Sequence, residues 1–318
     1  MTYAPPPSAP RGARHPLPVR DGLNPTRLVL PHDVATVARY ERALDYLLDR
    51  FPADVARLEE KVAAGEVVTG RGEPVTASTA YEPRGFLYLY RDPPREDTIP
   101  FEVEVLHRDE NLLVVDKPHF LATMPRGRWI TQTVLVRLRR QLDLPELSPA
   151  HRLDRPTAGV LVLTVRPEVR GAYQEVFARR EVTKVYEAVA PLRDDLALPR
   201  TVRSRIVKLR GVTRAQEEAG APNAESRVAL AARDEARGLG LYRLEPHTGK
   251  THQLRLHMAS LGVPILHDPF WPDLRDTDPD DHARPLQLLA RSLELMDPFT
   301  GERRRFESRR TLSEWPPR

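Results

Sequence analysis

The chain has 318 residues, 40% of them hydrophobic and 30% charged, with no cysteine, a formal net charge of +4 and a pI near 9.4. That length supports a sizeable core. The missing cysteines exclude disulfides, thiolate metal sites and cysteine nucleophiles, and no apolar run approaches the roughly 20 residues of a membrane-spanning helix. A basic balance suits a polyanionic partner, although Lys61, Lys117, Lys184, Lys208 and Lys250 are the only lysines among 49 basic residues, so compositional bias explains the arginine excess equally well.

Residues 1–31 hold eight prolines and no hydrophobic period, and read as a disordered or extended tail whose Arg11, Arg14, Arg20 and Arg27 are free to touch a polyanion. They contain no apolar signal-peptide core, so a cytoplasmic location is the default expectation. Residues 32–98 read as a small region of two short helices, marked by Leu44, Leu47 and Leu48 and by Val55, Leu58 and Val62, followed by turn-rich strands ending at Phe86–Tyr90. Phe101 to Val105 alternates as a strand, and Leu112 to Val115 is a buried one that ends at Asp116-Lys117-Pro118. Next come a basic loop with an aromatic tip, Met124 to Trp129, and a helix carrying Val134, Leu135, Leu138 and Leu142 on one face. Arg137, Arg139 and Arg140 fall elsewhere around that helix, where a solvated face is expected.

His151-Arg152-Leu153-Asp154-Arg155-Pro156-Thr157-Ala158-Gly159-Val160 then runs into the apolar strand Leu161 to Val165. Two guanidinium groups flank a lone carboxylate and favour the charged form that a nucleophile or base needs, yet by local sequence alone the pattern is a loop ion pair. A helix over Glu168 to Arg180 and a strand over Thr183 to Val189 follow, the strand presenting Lys184, Tyr186 and Ala188 on one face. Residues 216–223 read as a polar loop, and further strands are expected at Ser226–Ala231 and Leu241–Glu245. A helix opens near Thr251 with Leu254, Met258 and Leu261 on its apolar face and His252, Arg255 and Ala259 on the adjacent one. His252 and His257 lack the i, i+4 spacing of a helical zinc pair, and Asp273, Asp276, Asp278, Asp280 and Asp281 lack an EF-hand register, so no metal site is expected. Leu286 to Leu295 reads as a last buried strand.

The ten residues from His151 resemble the signature of RluA-type pseudouridine synthases. Three more segments match in the family's order: Asn111-Leu112-Leu113-Val114-Val115-Asp116-Lys117-Pro118, Thr183-Lys184-Val185-Tyr186-Glu187-Ala188-Val189, and His247-Thr248-Gly249-Lys250-Thr251-His252-Gln253-Leu254-Arg255-Leu256-His257-Met258. The resemblance implies an α+β fold, a largely antiparallel mixed sheet flanked by helices, in residues 99–318. Residues 32–98 are then a small N-terminal appendage similar to a degenerate RNA-binding domain. It implies an isomerase that detaches uracil from its ribose in tRNA or ribosomal RNA, turns it and rejoins it through carbon 5, with no metal or other cofactor and RNA as partner; a monomer is expected.

In that family Asp154 corresponds to the required aspartate, Arg255 to the arginine that pairs with it, whose fixed guanidinium fork can hold a carboxylate bidentately and keep it charged, and Tyr186 to the active-site aromatic. Arg152, Arg155, Lys117, Lys184 and His252 fall on the substrate side, with Arg126 and Arg128 of the basic loop as phosphate contacts. The sequence departs from the family at Pro156, Ala158, Lys250 and His267-Asp268-Pro269-Phe270-Trp271, which bears on substrate choice more than on activity. The rival classes are a non-catalytic RNA-binding or ribosome-assembly protein on the same fold and an aspartate-dependent hydrolase. Retention of all three groups argues against the first, and the want of a partnered histidine or second acid against the second.

Overall fold

The computed structural model describes residues 16–274 and 281–316. Arg11, Arg14, Asp276, Asp278 and Asp280 lie outside them. The chain divides into two compact units, Met1–Arg95 and Glu96–Arg318.

In the first unit β1 (Thr26–Val29) is followed by α1 (Val34–Arg39), α2 (Ala43–Arg50), α3 (Val55–Ala63), β2 (Val67–Thr69) and β3 (Phe86–Leu89), and the three strands form an antiparallel sheet in the order β1-β3-β2. Leu47 and Leu58 pack under Leu87 and Leu89 as the short-helix pattern requires. The expected tail does not extend to residue 31. Thr26–Val29 pair with β3 and Leu30 is buried, because the sheet edge supplies hydrogen-bond partners that a short apolar run after Pro25 can use.

The second unit contains β4 (Glu104–Arg108), β5 (Leu112–Lys117), α4 (Val134–Leu142), β6 (Ser148–Pro149), β7 (Ala158–Thr164), α5 (Pro167–Ala178), β8 (Val182–Pro191), β9 (Arg200–Val207), β10 (Gln216–Glu218), β11 (Ala224–Asp234), β12 (Leu239–Pro246), α6 (Gln253–Ser260), β13 (Leu288–Met296) and β14 (Arg303–Glu307). Its sheet runs β10-β9-β11-β12-β8-β13-β7-β5-β4, with β14 on β13 and β6 on β7. Every pairing is antiparallel except β13 with β7.

The continuous Val/Leu runs of β5 and β7 are explained by burial on both faces. Leu113, Val115, Leu161 and Leu163 meet Leu135 and Leu138 of α4, while Leu112, Val114, Val160 and Val162 meet Val169, Tyr173 and Val176 of α5. Farther along the sheet, Leu254 and Met258 of α6 cover Ala188, Tyr242 and Leu244. Tyr186 packs against both the α4 cluster and the α6 cluster, so it stands where those two cores meet.

Two expectations need correction. Arg137 and Arg139 are not on a solvated face: Arg137 donates to the carbonyls of Ile99 and Phe101, and Arg139, 7% exposed, donates to Leu147 O, because α4 is wrapped by chain on that side. The polar stretch 216–223 is partly strand, since β10 pairs with β9. Among the described residues no helix is long and apolar enough to cross a membrane.

Candidate active site

Asp154 lies on the loop that enters β7, and this loop is fixed by its backbone. Thr123 Oγ1 donates to Leu153 O (2.8 Å) and accepts from Leu153 N (3.1 Å). Lys117 Nζ donates to Arg155 O, His119 Nδ1 to Pro156 O at 2.6 Å, and Thr157 N to Asp154 O. At the loop's start His151 Nε2 accepts from Val162 N (3.1 Å) and its ring stacks on Phe177. The accepting role of His151 requires a neutral imidazole, and burial pushes His119 down to about 4 and His151 to about 3. The backbone that carries Asp154 is therefore held in place before any substrate arrives.

The same bonds correct the assignment of Lys117 to the substrate. Its side chain is fully buried, and its ammonium donates to the carbonyls of Pro118, Leu121 and Arg155. Burial holds its pKa well below the lysine norm, with the Asp154 charge opposing. Asp116 beside it accepts from Ser308 Oγ and Arg309 N, so the Asp-Lys-Pro corner is a scaffold for the Asp154 loop.

Behind Asp154 stands Arg255 of α6, 2% exposed. Its Nη1 lies 3.7 Å from Asp154 Oδ2, but its fork is spent elsewhere: Nε and Nη2 donate to the two oxygens of the buried Asp268 at 2.7 and 2.6 Å. The guanidinium also sits 4.5 Å from the Phe270 ring centre and 5.3 Å from that of Trp271. The expected bidentate grip on Asp154 is thus replaced by a one-pronged contact. A charge this deep needs an anion of its own, and Asp268, inside the 267–271 segment that departs from the family, supplies it. Tyr186, on β8, is half-buried, and burial together with the Asp154 charge raises its pKa well above the phenol norm.

These groups line a cavity of about 400 Å³ that also receives Arg152, Lys184, Lys250 and His252. Arg152 is exposed and without a side-chain partner among the described residues. His252 has φ +59° at the start of α6, accepts from Ala215 N, and is held down to about 4 by burial, so it is neutral. Arg155, Arg126 and Arg128 are not in the cavity wall. Arg155 lies over Trp129 at 4.1 Å and Arg128 at 4.5 Å, so the basic loop is tied to the residue after Asp154 instead of entering the site.

An aspartate loop, a strand tyrosine and an inward arginine gathered over a wide, mostly antiparallel sheet define the class of the pseudouridine synthases. A family model described as RNA pseudouridylate synthase matches residues 111–260. The chain is 31% identical to tRNA pseudouridine synthase C of Vibrio parahaemolyticus over 64% of its own length and 88% of the relative's. It is 30% identical to the dual-specificity RNA pseudouridine synthase RluA of Haemophilus influenzae (65% and 93%) and 30% identical to an uncharacterised RNA pseudouridine synthase of Synechocystis sp. (66% and 72%). The chain belongs to the RluA-type family of RNA pseudouridine synthases, isomerases that convert uridine in RNA to pseudouridine.

Proposed function

We propose that this enzyme isomerises one or more uridines of structured tRNA or ribosomal RNA, with Asp154 as the residue essential to the glycosidic step. The observation that carries this reading is the placing of Asp154: its side chain is 22% exposed and reaches the cavity, while Arg255 backs it from the protein side. Arg255 steadies the carboxylate through Nη1. Tyr186 stacks on the uracil, and its phenol, kept protonated by its raised pKa, can exchange a proton at carbon 5. A uridine inside a helix hides its glycosidic bond, so the target must be extruded, and the unpartnered Arg152 is suited to replace it in the stack or to hold a phosphate. Lys184, Lys250 and His252 line the same walls. Residues 96–318 are the catalytic unit in this reading, and residues 16–95 an appendage.

The test is Asp154→Asn on an RNA whose pseudouridine has been mapped in cells with and without the gene. The variant keeps size and removes charge, so folding and RNA affinity should persist while product formation falls at least about 10³-fold. Turnover within a few-fold of wild type would remove Asp154 from the chemistry, and loss of folding would make it a structural ion pair.

A further inference from the structure

A second cavity, of about 520 Å³, adjoins the first. The two share a wall made of Arg180, Lys184, Pro246, His247 and Thr248. We propose that the second cavity binds the nucleotide next to the target uridine, and that Arg180 and Lys184 hold the phosphate joining the two. The proposal rests on reading the Asp154 cavity as the uridine site.

Any phosphodiester connecting occupants of two adjoining cavities must cross their common wall, and that wall carries two cations. Neither Arg180 nor Lys184 has a side-chain hydrogen bond or ion pair among the described residues. The carboxylates facing the second cavity are already engaged: Glu225 with Arg203 at 2.7 Å, and Glu245 with Arg243 at 2.7 Å. Lys184 is half-buried, and its pKa is lowered by that burial and by Arg180, so the two like charges lie within reach of one another; Glu225, which also feels Arg180, is hydrogen-bonded to Arg203 instead. Such a pair is unfavourable until an anion arrives.

Arg180 adds an independent sign. It has φ +63° just beyond the end of α5, a position where glycine is the usual residue because a side chain there costs about 1 kcal/mol. A strained arginine where glycine would serve points to a use for the guanidinium. Asn223 in the second cavity spends both ends of its amide on Ile206. Asn223 therefore has its amide oxygen and one N–H engaged within the protein, and the cations of the shared wall are what the pocket offers the phosphate.

The experiment uses the full chain and the mapped RNA, with a neutral methylphosphonate placed at the phosphate 5′ or 3′ of the target uridine. One of the two substitutions should raise KM about ten-fold with kcat little changed, as expected for one lost charge-assisted contact. Arg180→Gln and Lys184→Gln should each do the same on unmodified RNA and flatten the log KM against log salt plot by about one unit. On the sensitive methylphosphonate RNA they should add nothing further. Equal losses on both RNAs, or no loss on either, would overturn the assignment while leaving the catalytic reading intact. Should Lys184→Gln not fold, the exposed Arg180→Gln decides alone. A wild-type enzyme that makes no pseudouridine on any mapped RNA would instead defeat the underlying reading.

Discussion

At the scale of single residues the site is a chain of charges, Asp268, Arg255 and Asp154, in which the guanidinium is shared unequally. Because its fork belongs to Asp268, Arg255 is a fixed positive backing for Asp154 and leaves the rest of that carboxylate facing the cavity. Asp268→Asn should therefore lower kcat with little change in KM, and also cost about 3–5 kcal/mol of stability by leaving a buried charge poorly paired. Arg255→Lys cannot make the fork, so adding Asp268→Asn to it should cost much less activity than it does in the wild type. Independent, multiplying losses in kcat would show that Asp268 acts on something other than Arg255. Asp154, Tyr186 and Arg255 could be named from sequence because each sits in a long motif. Asp268 could not, since its partner is fixed only when α6 packs against the following loop.

At the scale of elements, Gly159 explains how two strands that carry site residues come together. It has φ +112°, and a Cβ there would lie 2.2 Å from Ala290 O, at the place where β7 pairs in parallel with β13. Ala290 is also the partner of Tyr186 on β8, so this close approach sets the spacing between the Asp154 loop and the tyrosine. Gly159→Ala should destabilise by at least about 2 kcal/mol through overpacking and a strained φ, measured by denaturant unfolding. A loss under about 0.5 kcal/mol would mean that the two strands can part freely.

α6 supplies a pH signature in the same way. His257 is fully buried, accepts or donates at Ser204 Oγ (3.1 Å), and is lowered by burial to about 4 from 6.5. The unfolded chain binds the extra proton between those values, so stability is complete above about pH 6.5 and falls as pH drops toward 4. The loss is about 1.4 kcal/mol per pH unit for this residue. His257→Gln should reduce the pH slope of unfolding free energy by about one proton in that window, and an unchanged slope would contradict its neutral burial. The helix itself was readable from Leu254, Met258 and Leu261. β9 and β14 were not, because Arg200, Arg203, Arg205, Arg303 and Arg305 put charge on exposed strand positions, and Arg304 puts a further one on the inner face, where it pairs with Asp109 and Asp297, so the alternation is masked.

At the scale of the molecule, sequence motifs carried the fold class, whereas the strand order became visible only in three dimensions. The division at residues 95 and 96 gives a clean place to cut, unlike a cut near His32, which would remove β1 from its sheet. A protein starting at Glu96 is expected to fold and to retain turnover at saturating RNA, with any loss appearing in KM. If it folds and binds RNA yet makes no pseudouridine, the first unit takes part in catalysis. RNA affinity should fall with salt, and each phosphate-contacting cation removed should flatten that dependence by about one unit.

The strand order also has a consequence in time. β7 and β8 follow one another in the chain, separated only by α5, yet they are not neighbours in the sheet: β13, more than ninety residues later, is inserted between them. On the ribosome, the Asp154 loop and the Tyr186 strand are therefore made first and left without the strand that spaces them until β13 has emerged. Long-range closure of this kind is slow, and it leaves apolar strand edges uncovered while it is awaited. A nascent chain stalled before Leu288 would carry both residues and have no assembled site, so the competence to modify RNA waits for β13.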